Sequence, residues 1–131
     1  MMKVVLDTNV IVSALMTSSG NPARILTLLF DEEIQIYYCS DILIEYEDVL
    51  ARPSLKINFE KIVRLFEIIK KMGTLFVSRT SDTILPDESD RVFYDTAREN
   101  NAILITGNIK HYPADDFIMT PRQFLEKYFR L

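Results

Sequence analysis

Short apolar runs that alternate with segments of helical periodicity constrain the fold of this chain more than any other feature. The apolar runs are KVVLD, IQIYYC, TLFVS, AILIT and the shorter FIM. Between them, apolar residues recur at helical spacing, most clearly in 59–72. Strands that are apolar almost throughout and alternate with helices form parallel sheets covered on both faces. The sequence therefore predicts a three-layer α/β/α sandwich with a central parallel sheet of about five strands.

Several residues mark the predicted helix boundaries. Asn21, Ser40 and Asn58 each stand where an N-cap is expected, and Thr120 with Gln123 forms a capping box. The helix that follows Asn58 carries an apolar stripe that we expect to pack on the core, made of Phe59, Ile62, Val63, Phe66 and Ile69.

Composition narrows the class of protein. The 131 residues, 48% of them hydrophobic, predict a single domain over 1–131 with a substantial core. The 15 basic and 19 acidic residues give a net charge of −4, which argues against binding nucleic acid by charge attraction alone.

The chain has no long apolar run or secretory signal, and the single Cys39 excludes an internal disulfide. We therefore expect a cytoplasmic protein without a membrane segment.

Asp7 follows directly after the first apolar run and has two interpretations. It can cap the next helix, or it can serve a functional site. A buried carboxylate without a partner is costly, and ligands of parallel sheets bind beyond the carboxyl ends of the strands. This position favours the functional interpretation of Asp7.

A second acid, Asp90, precedes a helical segment. Phe93, Tyr94 and Ala97 stand three, four and seven residues after Asp90, so its side chain shares the apolar stripe that faces the sheet. Asp95 lies about 140° away around the helix and is predicted to be a solvent residue. Asp90 is therefore a candidate metal ligand near the strand ends.

The segment SDILIEYEDVL supplies a third acid. Glu45 and Glu47 both border its apolar face, and helical geometry alone does not choose between them. We favour Glu45 because it lies closer to the start of the helix and so to the strand ends. With Asp7 and Asp90 it would form an all-oxygen ligand set, which suits Mg²⁺ or Mn²⁺ better than zinc.

The motifs together resemble the PIN-domain nucleases. They are LDTN (6–9), Glu45 within SDILIEYEDVL, PDESD (86–90) and AILITGN (102–108), in this order over nearly the whole chain. The resemblance implies an endoribonuclease that cleaves single-stranded RNA with Mg²⁺ or Mn²⁺. Many members of the family are toxins of type II toxin–antitoxin pairs, so it also implies an antitoxin partner and a homodimer.

The resemblance assigns roles to particular residues. Asp7, Glu45 and Asp90 match the catalytic, metal-binding acids of the family, and Asp87 matches an accessory metal-binding acid. Asn108 stands where the family often has aspartate, and its amide oxygen can bind a metal without adding charge.

Residues next to these acids are expected to orient the metal ligands or to contact the substrate. Thr8 or Asn9 would orient the Asp7 carboxylate through hydrogen bonds. Lys110 and His111 are weak candidates for substrate binding, and Tyr112 is a weak candidate for stacking on a base.

Two alternatives remain open at this point. The chain could be a non-catalytic or weakly active PIN-like module that binds RNA or protein, which the missing charge at Asn108 would favour. It could also be another phosphotransfer enzyme with an acidic pocket. Aspartyl-phosphate phosphatases that resemble this chain, however, have a second aspartate two residues after the first, at the position of Asn9. Metal-dependent cleavage of RNA would separate these alternatives.

Overall fold

The described residues, 1–75 and 80–130 of this computed structural model, form a parallel sheet of five strands with six α-helices. Neighbouring strands are parallel in all four pairings, in the order β3-β2-β1-β4-β5. The predicted α/β fold with about five parallel strands is confirmed. The predicted third strand extends to residue 78, and its part beyond residue 75 lies outside the described residues. The strands are β1 (Met2–Leu6), β2 (Ile34–Tyr38), β3 (Thr74–Leu75), β4 (Ile103–Ile105) and β5 (Ile118–Met119).

The helices cover the sheet and are shorter than a membrane span requires. No helix in the described ranges is long and apolar enough to cross a membrane. The helices are α1 (Thr8–Met16), α2 (Asn21–Phe30), α3 (Ser40–Leu50), α4 (Phe59–Met72), α5 (Arg91–Glu99) and α6 (Pro121–Tyr128).

The predicted helix starts are correct for α4 and α6 and one residue late for α2 and α3. Asn58 caps α4, and Thr120 forms the predicted capping box of α6. The N-cap residues of α2 and α3 are instead Gly20 and Cys39. Gly20 has a φ of 151°, a backbone conformation that favours glycine.

The position of β1 determines where a ligand can bind. The chain passes from β1 to β2 on one side and later to β4 on the other, so the strand order reverses at β1. Parallel sheets bind ligands beyond the carboxyl ends of the strands at such a reversal. The backbone N–H of Asp7 donates to the carbonyl of Ile105 at 2.9 Å and carries the β1–β4 ladder up to this point. Asp7 therefore lies at the crevice between β1 and β4.

The apolar stripe of α4 is only partly buried, which corrects the predicted core face. Leu65 and Ile69 are buried, whereas Phe59 is 75% exposed and Val63 is 37% exposed. Phe59 and Val63 line an open groove of about 800 Å³ beside the end of α3. Helical periodicity reports that the residues share a face, but it does not report how much of that face meets the sheet.

The prediction that Asp95 is a solvent residue is wrong, since its side chain is only 3% exposed. The Ser81 N–H and hydroxyl donate to its two carboxylate oxygens at 3.0 and 2.5 Å. Arg91, whose guanidinium lies 4.0 Å from Asp95, donates to the carbonyl oxygens of Ser81 and Thr83. The segment before α5 thus covers the helix face that would otherwise meet water, and Asp95 holds this segment in place.

Candidate metal centre

Asp7 is a buried carboxylate held by two hydroxyl groups. Its side chain is 7% exposed, and Oδ2 accepts hydrogen bonds from Thr106 Oγ1 at 2.8 Å and from the Tyr112 hydroxyl at 2.9 Å. Asp7 is also the N-cap residue of α1, but its carboxylate points across to the residues that follow β4. The side chain therefore belongs to the crevice between β1 and β4.

The predicted roles of Thr8 and Asn9 differ from what the structure shows. The Thr8 hydroxyl donates to Glu45 Oε2, and Asn9 Oδ1 accepts from the Gly107 N–H at 2.9 Å. Among the described residues, neither side chain bonds to the Asp7 carboxylate. Successive residues of a helix point about 100° apart, so Thr8 and Asn9 reach different neighbours of Asp7.

The choice that the sequence left open between Glu45 and Glu47 has a structural answer. Glu45 faces α1 through its bond with Thr8, whereas Glu47 lines the groove between α3 and α4. The rotation of α3 is fixed by Tyr46, whose buried hydroxyl donates to the Leu6 carbonyl at 2.5 Å. Of the two glutamates, Glu45 is the one beside Asp7.

Asp90 occupies the N-cap position of α5, and its side chain is 15% exposed. Its Oδ2 atom is buried and has no hydrogen-bond partner among the described residues. Burial raises the pKa of Asp90 to about 6, and the charges of Asp7 and Asp87 add to the rise. The His111 imidazole, whose Nδ1 lies 3.6 Å from Asp90 Oδ2, offsets part of this rise in pKa, and Glu45 adds a smaller rise. The raised pKa of Asp90 thus reports a cluster of carboxylates whose negative charge is compensated only in part.

Asp87 is an exposed cap rather than part of the buried cluster. Its Oδ1 accepts from the N–H and from the hydroxyl of Ser89, both at 2.9 Å, in a short 3₁₀ turn before α5. These hydrogen bonds lower the pKa of Asp87 below its usual value. Asp87 lies close enough to raise the pKa of Asp90, so it stands at the rim of the cluster.

The remaining predicted site residues follow β4. His111 Nδ1 lies 3.6 Å from Asp90 Oδ2, and Lys110 is exposed. The N–H of Asn108 donates to Thr106 Oγ1 at 3.0 Å, and Asn108 lines a pocket of about 230 Å³ together with Asn9. The backbone of Asn108 is thus linked to the cluster through Thr106, whereas its side chain lines a pocket that none of the predicted metal-binding acids lines.

Comparison with known proteins identifies the family to which this arrangement belongs. The family model described as PIN domain matches residues 3–110, which is most of the chain. The chain belongs to the PIN domain family. It is also 30% identical over 141 aligned positions to an uncharacterized protein of Methanocaldococcus jannaschii, across 96% of this chain and 91% of that protein. No solved structure gives a significant match. PIN domains are generally nucleases, and they generally use divalent metal ions.

The acidic residues of this PIN domain suit a divalent cation by their chemistry. As the side chains stand, the described ranges contain no group of three acidic, histidine or cysteine side chains close enough to enclose a metal. The donors at the crevice are nevertheless carboxylate oxygens, the ligands that hard divalent cations prefer. The buried Oδ2 of Asp90 accepts no hydrogen bond from the described residues, and the pKa of Asp90 is raised; added positive charge would offset the cost of both. The residues present therefore fit a bound cation.

Two residues that contact Asp7 were not predicted to do so. Thr106 could have been found, because Leu6 pairs with Ile105 and the next residues of β1 and β4 are therefore neighbours. Tyr112 was considered only as a stacking residue, and at 5% exposure it is not available to stack on a base. The sequence holds no periodic signal that would aim Tyr112 at Asp7.

Proposed function

We propose that this PIN domain is an endoribonuclease that cleaves single-stranded RNA with Mg²⁺ or Mn²⁺ as cofactor. The observation that carries the proposal is the buried Oδ2 of Asp90, which accepts no hydrogen bond from the described residues and lies near the carboxylates of Asp7 and Glu45. Such an arrangement is costly in the metal-free protein and is stabilised by a cation. A PIN domain whose acid cluster at the crevice is only partly compensated by positive charge is expected to be a metal-dependent nuclease.

Asp7, Glu45 and Asp90 would hold the cation. When bound, a divalent cation lowers the pKa of water and offsets the negative charge of a phosphodiester. Asp87 stands at the rim of the cluster, and the family resemblance suggests that its carboxylate and the amide oxygen of Asn108 could contribute to a second, weaker site. Since like charges repel, the three central carboxylates would stand apart until a cation draws them together.

The surrounding residues would orient the acids and meet the substrate. Thr8 fixes the Glu45 carboxylate, and Thr106 fixes that of Asp7. His111 lies beside Asp90, and Lys110 is the exposed residue before it; both could contact the phosphates of a bound RNA strand. Phosphate contacts position a nucleic acid without reading its sequence.

The proposal is tested by incubating the purified protein with single-stranded RNA in Mg²⁺, in Mn²⁺ and in excess chelator. We expect cleavage with either ion, products that end in 3′-hydroxyl and 5′-phosphate, and no cleavage in chelator. Double-stranded RNA and single-stranded DNA of the same sequence serve as matched substrates. Cleavage that continues undiminished in chelator would exclude a metal-dependent mechanism. Absence of cleavage in both ions would favour the alternative of a non-catalytic binding module.

The family resemblance further supports a role as the toxin of a type II toxin–antitoxin pair, acting in the cytoplasm as a homodimer that an antitoxin silences. The apolar groove beside α4 supports a protein partner, because exposed neighbouring apolar side chains such as Phe59 and Val63 commonly mark interfaces.

A further inference from the structure

The hydroxyl group of Tyr112 is buried and directed at one particular oxygen of Asp7. The Tyr112 side chain is 5% exposed, and its hydroxyl donates to Asp7 Oδ2 at 2.9 Å. Thr106 Oγ1 donates to the same oxygen at 2.8 Å. Since both donors bind Oδ2, the other oxygen, Oδ1, is the one left available to a cation.

The Tyr112 hydroxyl is the donor in its contact with Asp7, because an ionised carboxylate can only accept a hydrogen bond. Its donation to a carboxylate is charge-assisted and therefore stronger than a bond between neutral groups.

The chain segment that carries Tyr112, in the connection between β4 and β5, makes side-chain contacts on both sides of this residue. His111, the preceding residue, faces Asp90. Further along the connection, the Tyr94 hydroxyl of α5 donates to Asp115 Oδ2 at 2.7 Å. Tyr112 is thus held in its place by the fold and in turn restricts rotation of the Asp7 carboxylate.

We propose that Tyr112 is a positioning residue that fixes the Asp7 carboxylate so that Oδ1 faces the bound cation. The inference rests on the proposed metal-dependent function of the same site. Without the hydroxyl, Asp7 keeps its charge but gains freedom to rotate, so the cation binds a less ordered ligand. Loss of such an orienting hydrogen bond commonly weakens metal binding by about 10- to 100-fold.

The test measures Mn²⁺ binding by isothermal titration calorimetry for the parent, Tyr112→Phe and Tyr94→Phe. Tyr94→Phe is a matched control, because it also removes one tyrosine–carboxylate hydrogen bond from the same connection but at Asp115. We expect Tyr112→Phe to raise the Kd for Mn²⁺ by about tenfold or more and Tyr94→Phe to leave the Kd unchanged. Cleavage by Tyr112→Phe should recover at high Mn²⁺, so the metal requirement rises while the saturated rate stays close to that of the parent.

Thr106→Val gives a second readout that does not depend on the folding of the tyrosine variant. It removes the other donor to Asp7 Oδ2, so it should raise the Kd in the same direction, and Thr106→Ser should restore it. If the parent binds Mn²⁺ and Tyr112→Phe binds it with the same Kd, this inference fails and the proposed function stands. If the parent binds no Mn²⁺, the inference and the proposed function fail together.

Discussion

Glu45→Gln is expected to slow cleavage of single-stranded RNA by about a hundredfold or more, whereas Glu47→Gln should leave the rate unchanged. Glutamine has nearly the shape of glutamate, so each substitution removes a charge with little change in packing. Glu45 accepts a hydrogen bond from Thr8 next to Asp7, while Glu47 lines the groove between α3 and α4. Initial rates at saturating Mg²⁺ for the parent and the two variants are the measurement.

The pair of variants also controls for effects on the fold of α3. Both glutamates lie on the same helix two residues apart, so a general weakening of α3 would slow both variants alike. Equal loss of activity in the two variants would show a weakened α3 rather than a lost metal ligand, and loss in Glu47→Gln alone would contradict the assignment of the functional acid to Glu45.

Asp90→Asn is expected to stabilise the metal-free protein by about 1–3 kcal/mol above pH 6 and to change little near pH 4. Burial and neighbouring acids raise the pKa of Asp90 from 3.8 to about 6. Between these pH values the folded protein holds this proton more tightly than the unfolded chain does. The free energy of unfolding of the parent therefore falls, through Asp90, as the pH rises from about 4 to 6, and the loss remains at higher pH. Asparagine does not titrate, so the free energy of unfolding of Asp90→Asn does not fall with pH at this position.

Urea unfolding in chelator over this pH range measures the difference between Asp90→Asn and the parent. Asp87→Asn is the comparison on the same turn: the lowered pKa of Asp87 gives its own contribution the opposite sign, and loss of its charge should also bring the pKa of Asp90 down. In excess Mn²⁺ the parent should become more stable than Asp90→Asn, since a bound cation stabilises the folded state that binds it. If Asp90→Asn is less stable than the parent in chelator above pH 6, Asp90 serves the fold and the interpretation of its raised pKa is wrong.

The sheet was predictable because its determinants are local. Each apolar run is long enough for one strand, and each helix between them has a clear apolar stripe, so the parallel α/β arrangement follows from general rules. The same rules put Asp7 at the end of β1, where parallel sheets bind ligands. The inward direction of Asp90 follows from the positions of Phe93 and Tyr94 on α5, and in the structure its side chain is largely buried.

The errors arise where a second segment decides the environment of a residue. A helical wheel gives the direction of Asp95 but not the fact that Ser81 covers that direction. Phe59 shares an apolar stripe with the buried Ile69, yet it lies outside the contact of α4 with the sheet. These outcomes depend on tertiary packing, which the periodicity of a single element does not contain.

Some contacts of the acidic residues follow from strand order, whereas others depend on how irregular segments or helices pack. Thr106 bonds Asp7 because β1 and β4 are neighbours, which strand order and register predict. Tyr112 reaches Asp7 through the course of the irregular connection after β4, and no rule of local sequence specifies that course. Thr8 or Asn9 was predicted to orient Asp7, but Thr8 contacts Glu45 and Asn9 contacts Gly107, because the sequence does not specify which neighbouring segment each side chain meets.

The most direct test of the central claim, that Asp7, Glu45 and Asp90 form one cation site, is calorimetric titration of Mn²⁺ into Asp7→Asn beside the parent. Asp7→Asn retains an oxygen acceptor for Thr106 and Tyr112, so the variant should fold, but it loses one charge of the cluster. The account predicts Mn²⁺ binding by the parent and binding weaker by about a hundredfold or more in Asp7→Asn. Equal Mn²⁺ affinity in the parent and in Asp7→Asn would contradict it.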